Sequence, residues 1–356
     1  MRQRRGLILQ IGLMAMAVLS VVYLRDELPS PSAVWEEIRT ARPAWLILIV
    51  FTEVLSMASF SRLQHKLLSG GGVQVSYRRV MAVTYAGNAI SATLPAGPAM
   101  SMAYAFRRWR ERGASKHLST AAVLIAGAAT TVSYTLVTLV FLLAEPGSRL
   151  PALSGLTAIA ALGGLAALGL RHPAFARARG RAIGWALGGK RVGPLVAELQ
   201  EGWRVLRLTP SRWAMIAALA MTVWLLDITG VVAATHAVGL NLDPVEVALA
   251  YFTAQATGSV LPLLPGGLGA IEASMTASMV GFGALAVPAG AAVMLYRLVS
   301  FWGIVAAGWG FWLVLRLNGT MLARMRAFAL AAALSFAAAS GYAAAAVSSS
   351  EPVELS

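Results

Sequence analysis

Apolar runs long enough to cross a bilayer recur along almost the whole chain, separated by short charged loops. A transmembrane helix needs about 20 mostly apolar residues, and spans read at residues 7–24, 45–60, 118–144, 149–170, 213–238, 288–315 and 327–347. Lipid offers no water to backbone amides, so each run must satisfy its own hydrogen bonds as a helix. The fold class is therefore all-α, a polytopic integral membrane helix bundle with about seven full spans. Two further apolar stretches, 80–106 and 246–283, are interrupted by Pro and Gly and read as broken hairpins, either re-entrant or paired. The first segment follows Met-Arg-Gln-Arg-Arg; its apolar run is too long for a typical signal peptide and no A-x-A site ends it, so it reads as a retained anchor.

Composition narrows the chemistry. Only 12% of the residues are charged, about half the usual share of a soluble domain. There is no Cys, which removes disulfides, a thiolate nucleophile and Cys-ligated zinc. His65, His117, His172 and His236 lie far apart and form no metal-ligand spacing. No metal, cofactor or catalytic residue is expected. The 29 Lys and Arg exceed the 15 Asp and Glu, but the apolar runs leave no soluble domain to present them to nucleic acid. The partner that fits is a membrane with anionic headgroups.

The positions of the charges set an orientation. Arg2, Arg4 and Arg5 hold the N-terminus in the cytoplasm under the positive-inside rule. Alternation through the spans then puts 24 of the 29 basic residues on the cytoplasmic side, with the C-terminus outside. Loop 107–117 is a dense basic cluster, and loop 171–212 carries Leu195, Leu199, Trp203 and Leu206 at helical spacing, as an interfacial amphipathic helix does. Trp45, Trp213 and Trp312 lie near span ends, the usual place for interfacial aromatics.

The same alternation treats the two interrupted stretches differently. Segment 80–106 has basic residues on both flanks and should enter and return from the cytoplasm, whereas both ends of 246–283 belong outside. The two align at an offset of 170 residues, Leu94-Pro95-Ala96-Gly97 on Leu264-Pro265-Gly266-Gly267. A repeated broken hairpin entering from opposite faces is the inverted-repeat plan of secondary transporters. Pro removes an N–H and Gly permits an abrupt turn, so helix ends lie exposed at depth. The helix starts beyond Pro95 and Gly97, and beyond Pro265, Gly266 and Gly267, present N–H groups and positive dipole ends suited to phosphate. Kinking for helix packing is the alternative account of these breaks.

Four ionisable residues remain inside apolar segments: Glu53, Asp227, Glu272 and Arg297. Each costs about 2.5–3.5 kcal/mol at a helix centre on insertion scales, so pairing or function must explain it. Glu272 and Arg297 can pair to hold the second hairpin, or Arg297 can meet a headgroup phosphate through its planar fork. Glu53 and Asp227, with Asn88 and Gln255, either form a proton or polar path or make packing hydrogen bonds; Thr93 and Ser259 lie beside the same breaks.

The runs Asn88 to Pro98 (NAISATLPAGP), Arg107-Arg108-Trp109-Arg110 through Gly113-Ala114-Ser115, LPGGLG from Leu264 with Glu272, and Tyr296-Arg297-Leu298-Val299-Ser300-Phe301-Trp302 resemble one known family. It is the transmembrane region of lysylphosphatidylglycerol synthases, or flippase-like domain family. The resemblance covers nearly the whole chain and implies a polytopic bacterial membrane protein that moves or presents lipids, with Glu272, Arg297 and the two Pro/Gly turns at motif positions. One departure stands out: where many members carry a Gly-Glu pair and an Arg after the first turn, this chain has Ala99-Met100 and Ala103.

The expected organisation is a flippase-like domain over 1–326, with hairpins 80–106 and 246–283 and the basic loop 171–212, followed by an Ala-rich span and short external tail over 327–356. The cytoplasmic aminoacyl-transferase domain of bifunctional relatives is not present in this sequence, so the chain is expected not to be an enzyme. The expected function is translocation or binding of a polar or anionic lipid in the bacterial plasma membrane. The alternatives are a non-catalytic membrane partner of a lipid-modifying enzyme, or a lipid-linked transferase using Asp26-Glu27 or Glu36-Glu37. A homo-oligomer and a partner enzyme both remain open as assemblies.

Overall fold

The computed structural model describes residues 31–94, 96–145, 208–260 and 265–317, with 149, 153, 154, 157, 201 and 206. All the regular structure among them is helical. In order, the helices are α1 (Pro31–Arg39), α2 (Pro43–Gly70), α3 (Tyr77–Thr93), α4 (Gly97–Arg110), α5 (Lys116–Ala144), α6 (Pro210–Ala237), α7 (Pro244–Val260), a 3-10 turn (Pro265–Gly267), α8 (Ala270–Gly281), α9 (Ala286–Arg297), a π turn (Leu298–Gly303) and α10 (Ile304–Arg316).

Among the described residues, four helical runs are long and apolar enough to cross a membrane: Pro43–Gly70, Lys116–Ala144, Pro210–Ala237 and Ala286–Arg316. They occupy the expected spans 45–60, 118–144, 213–238 and 288–315. The expected span 7–24, the C-terminal segment 327–356 and Pro95 lie outside the described residues, as do most of span 149–170 and of loop 171–212. One boundary differs: α2 runs ten residues past 60, carrying Arg62 and Lys66 on its last turns before Gly70-Gly71-Gly72. Long basic side chains extend to water from a helix end, so charge marks the edge of the bilayer and not the end of the helix.

Helix α2 shows why these segments suit lipid. It exposes Ile47, Val50, Phe51, Val54 and Leu55, and it buries Thr52, Glu53, Ser56, Ser59, Ser61 and Gln64. In water that distribution would be inverted; in lipid, tails solvate the apolar face and small or polar residues make the helix contacts. Hydroxyls on the buried face return to the helix backbone, Ser61 to Met57 O at 2.7 Å and Ser59 to Leu55 O at 2.8 Å.

Contacts at the helix ends define the packing. The Arg42 N–H donates to Ala237 O at 3.0 Å, joining the start of α2 to the end of α6. At the other end Gly70 lies against Leu208, just before α6 begins. The two spans are therefore antiparallel. Six residues after α2, the first hairpin α3–α4 starts at the Gly70 end. Six residues after α6, the second hairpin α7–α8 starts at the Ala237 end. Its first helix has 17 residues, about 25 Å at 1.5 Å per residue, short of the roughly 30 Å hydrocarbon core.

The tips of the hairpins meet inside the bundle. Gly266 packs on the Phe301 ring and approaches Ala92 O near the end of α3, so a Cβ there would overlap the ring and crowd the carbonyl. At the first turn Gly97 comes against Ser91 O with no room for a side chain. Close helix approach elsewhere also rests on Gly: Gly308 of α10 lies on Tyr85 O of α3, and Gly230 of α6 touches Thr52 of α2 and the Tyr296 ring of α9.

Two apolar clusters occupy the two ends. One joins Ile49, Val231, Ala234, Tyr251, Phe252, Met275, Met279 and Val293. The other joins Leu63, Leu67, Leu68, Val80, Trp109, Leu118 and Ile216. Arg62, Lys66, Arg78, Arg107, Arg108, Arg110 and Arg112 collect at the Leu67 end, while Glu36, Glu37, Asp243 and Glu246 flank the other.

A charged cavity between the hairpin tips

Between α2, α6 and the second hairpin lies a cavity of about 310 Å³. Glu53, Ser56, Met57 and Phe60 of α2 line it at helical spacing, α6 adds Val223, Trp224 and Asp227, and α7 adds Tyr251 and Gln255. Asn88 of α3, Thr130 of α5, Ile271 and Met275 of α8, and Tyr296, Arg297 and Ser300 complete the wall. Glu53, Asp227, Asn88, Gln255 and Arg297, read separately from five apolar segments, thus share one wall.

Arg297 is 9% exposed, as is Glu272. Its Nε donates to Glu272 Oε1 at 2.6 Å and its Nη2 to Gly266 O at 3.1 Å. The guanidinium stacks over Phe301, 4.4 Å from the ring centroid. Nη1 finds no acceptor among the described residues. Helix α9 turns into the π helix immediately after Arg297. Such bulges widen one turn and recur at functional sites; here the wider turn carries Ser300 to the cavity and Phe301 under the guanidinium.

Glu272 has a second task. Its Oε2 accepts the Gly269 N–H at 2.6 Å, closing the first turn of α8. The positive end of that helix therefore faces a carboxylate of its own chain, where the sequence suggested an open phosphate site. The backbone before it needs glycine: Gly266, Gly267 and Gly269 have φ of 62°, 65° and 83°. In the first hairpin the residue aligned with Gly266 is Ala96, which adopts φ 53°. Helix α4 then starts at Gly97 with no side chain capping it.

Asp227 Oδ2 accepts the Tyr251 hydroxyl at 3.0 Å, and Gln255 donates its amide to the same hydroxyl oxygen at 3.2 Å. Asp227 Oδ1 is buried with no partner. Glu53, 9% exposed, makes no hydrogen bond among the described residues and lines the same cavity as Asp227. Asn88 donates to Thr84 O on its own helix, at 3.1 Å. Among the described residues no group of three or more His, Cys, Asp or Glu is placed to hold a metal.

Sequence reasoning missed Ser56, Trp224, Tyr251, Tyr296 and Ser300. Four were within reach of helical spacing: Ser56 is three residues after Glu53, Trp224 three before Asp227, Tyr251 four before Gln255 and Ser300 three after Arg297, whereas Tyr296 adjoins Arg297 and is not marked by spacing.

Apolar helical spans, broken hairpins and a buried ion pair on a polar cavity define a polytopic integral membrane protein. The chain belongs to the family described as the lysylphosphatidylglycerol synthase TM region, whose model matches residues 7–308. It is also similar to UPF0104 membrane proteins of Methanothermobacter thermautotrophicus. One match is 29% identical over 119 residues, 33% of this chain and 35% of the relative. Another is 31% identical over 94 residues, 26% of this chain and 28% of the relative. The chain thus spans about a third of the length of the relatives it matches.

Proposed function

We propose that this chain is a flippase-like protein of the bacterial plasma membrane that carries a polar or anionic lipid headgroup between leaflets without covalent chemistry. The observation that carries this reading is Arg297, a buried guanidinium on a polar cavity at the meeting point of two helix breaks. Its Nε and Nη2 are committed to Glu272 and Gly266, and Nη1 is left for a phosphate oxygen. Arg presents such donors in a planar fork that suits phosphate.

An inverted repeat supplies the moving parts. In its favour, the aligned residues Ala96 and Gly266 both adopt left-handed backbone, and the hairpins start from opposite ends of the antiparallel pair α2 and α6. Rocking of one hairpin against the other would open the cavity to each side in turn. The basic end holding Arg62, Arg78 and Arg107 to Arg112 is cytoplasmic by the positive-inside rule, with the N-terminus on that side and the C-terminus outside.

The test is a liposome assay with purified protein and a fluorescent anionic phospholipid in one leaflet. The protein speeds its redistribution, and Arg297→Ala abolishes most of the gain while Gln74→Ala, on an exposed loop, does not. Equal rates with and without protein would remove the reading.

A further inference from the structure

Were Glu53 and Asp227 both ionised, the cavity would hold more negative charge than its one cation balances. Arg297 already pairs with Glu272, so Glu53 and Asp227 face the same space with no cation of their own among the described residues. An anionic headgroup reaching Arg297 would meet these carboxyls across a cavity of about 310 Å³, where low dielectric strengthens the repulsion. A further positive charge has to accompany it.

We infer that Glu53 and Asp227 form a proton-binding pair, and that its protonation admits the anion to Arg297. This rests on the transport reading for its role, and on geometry for the site. Glu53 is nine-tenths buried, lines the cavity and has no hydrogen-bond partner among the described residues. Asp227 Oδ1 is buried and likewise unpartnered. Two carboxylates on one cavity wall with no cation between them repel each other, and a proton taken up by one relieves that repulsion.

The surroundings agree. Helix α3 presents Tyr85, α7 presents Tyr251, and α9 presents Tyr296 and Arg297. On α5, Tyr134 spends its hydroxyl on Phe252 O at 3.0 Å. Glu272 of α8 is bound to Arg297 and the Gly269 amide. The Tyr251 hydroxyl donates to Asp227 Oδ2 and accepts from Gln255. One side of Asp227 is thereby fixed, and Oδ1 is left as the atom that takes the proton. With Asp227 Oδ2 bonded to the Tyr251 hydroxyl, the oxygens the pair leaves free are Asp227 Oδ1 and the two of Glu53, enough to hold a proton but too few to enclose a metal cation. The proton is the cation this donor set fits.

The experiment uses the full chain in two measurements. Infrared difference spectra of protein in phosphatidylcholine vesicles, acidic against alkaline, should show the C=O band of a protonated carboxyl. The band should be lost in the Glu53→Gln, Asp227→Asn double variant and kept in Gln74→Ala. In weakly buffered detergent, short-chain phosphatidylglycerol followed by tryptophan fluorescence should bind with uptake of about one proton per lipid, since a coupled pair titrates as a unit. The double variant should bind with no uptake, and its affinity should no longer change with pH, whereas the wild-type affinity falls up to about tenfold per pH unit on the alkaline side.

A wild type whose spectrum matches the double variant's overturns the inference, as does lipid binding without proton uptake or binding that requires sodium. A carboxyl band present with no lipid bound leaves the proton site standing and removes the transport reading instead.

Discussion

Arg297 and Glu272 lie 25 residues apart in sequence and meet at 2.6 Å through Nε and Oε1, both nine-tenths buried. The contact ties the start of α8 to the end of α9. Because Glu272 also closes the first turn of α8 and Arg297 also holds Gly266 O, one ion pair fixes the tip of the second hairpin.

Glu272→Ala leaves a buried guanidinium unbalanced and should lower stability by about 3–5 kcal/mol, the usual cost of breaking a buried pair from one side. Replacing both partners with Met should recover much of that loss. Thermal unfolding in detergent, followed by light scattering, checks both. Equal stability of the single variant and the wild type would show that the pair does not hold the tip.

Ala96 is the one described non-glycine residue at positive φ. A left-handed backbone costs an L residue about 1–2 kcal/mol; Gly avoids that cost and adds only about 0.5–1 kcal/mol in extra chain entropy lost on folding. Ala96→Gly should therefore raise the melting temperature, and Ala96→Val should lower it. The reverse order would mean that the first turn is not left-handed in the membrane.

Gly308 sits on Tyr85 O with no space for a Cβ. Gly308→Val should push α10 away from α3 at a cost of about 1–3 kcal/mol or more, typical of overpacking, and Gly310→Ala, with open space around it, should be neutral. Yield of monodisperse protein in size-exclusion chromatography distinguishes the two.

Tyr251→Phe removes the hydroxyl that joins Asp227 to Gln255. Both partners stay on the cavity wall with one bond fewer, a loss of about 1–3 kcal/mol for buried polar groups. The variant should melt lower than the wild type, with the loss reduced when Asp227→Asn is added. No change in melting for either variant would place Tyr251 outside the network.

The chain has no Cys, so single-cysteine mapping needs no background removal. Gln74, beyond the end of α2, and Asn241, beyond the end of α6, are both exposed and lie at opposite ends of the antiparallel pair. In intact bacterial cells Asn241→Cys should react with a membrane-impermeant maleimide, and Gln74→Cys only after permeabilisation. Labelling of both from outside would contradict the hairpin arrangement.

Much of this was legible in the sequence because lipid imposes local rules. Each span must be an apolar helix, each Pro/Gly run must break one, and each charge at depth must have a reason; Glu53, Asp227, Glu272 and Arg297 all stand out on that ground. Helix ends were less legible, since Arg62 and Lys66 mark the bilayer edge while α2 continues to Gly70. The occupied start of α8 was hidden for another reason: Glu272 has two acceptor oxygens, and spacing alone does not tell that one serves Gly269 while the other serves Arg297.

By itself, then, the sequence determined an all-helical membrane chain, the broken hairpins and the identity of the costly residues, because hydrophobic length and backbone chemistry act within single segments. Only the tertiary structure decided that Glu53 and Asp227, 174 positions apart, share a cavity with Arg297. It also decided that the hairpin tips meet at Gly266 and that a π turn brings Phe301 beneath the guanidinium. Those placements follow from where glycines such as Gly230 and Gly308 let backbones approach, a property of helix pairs and not of any one helix.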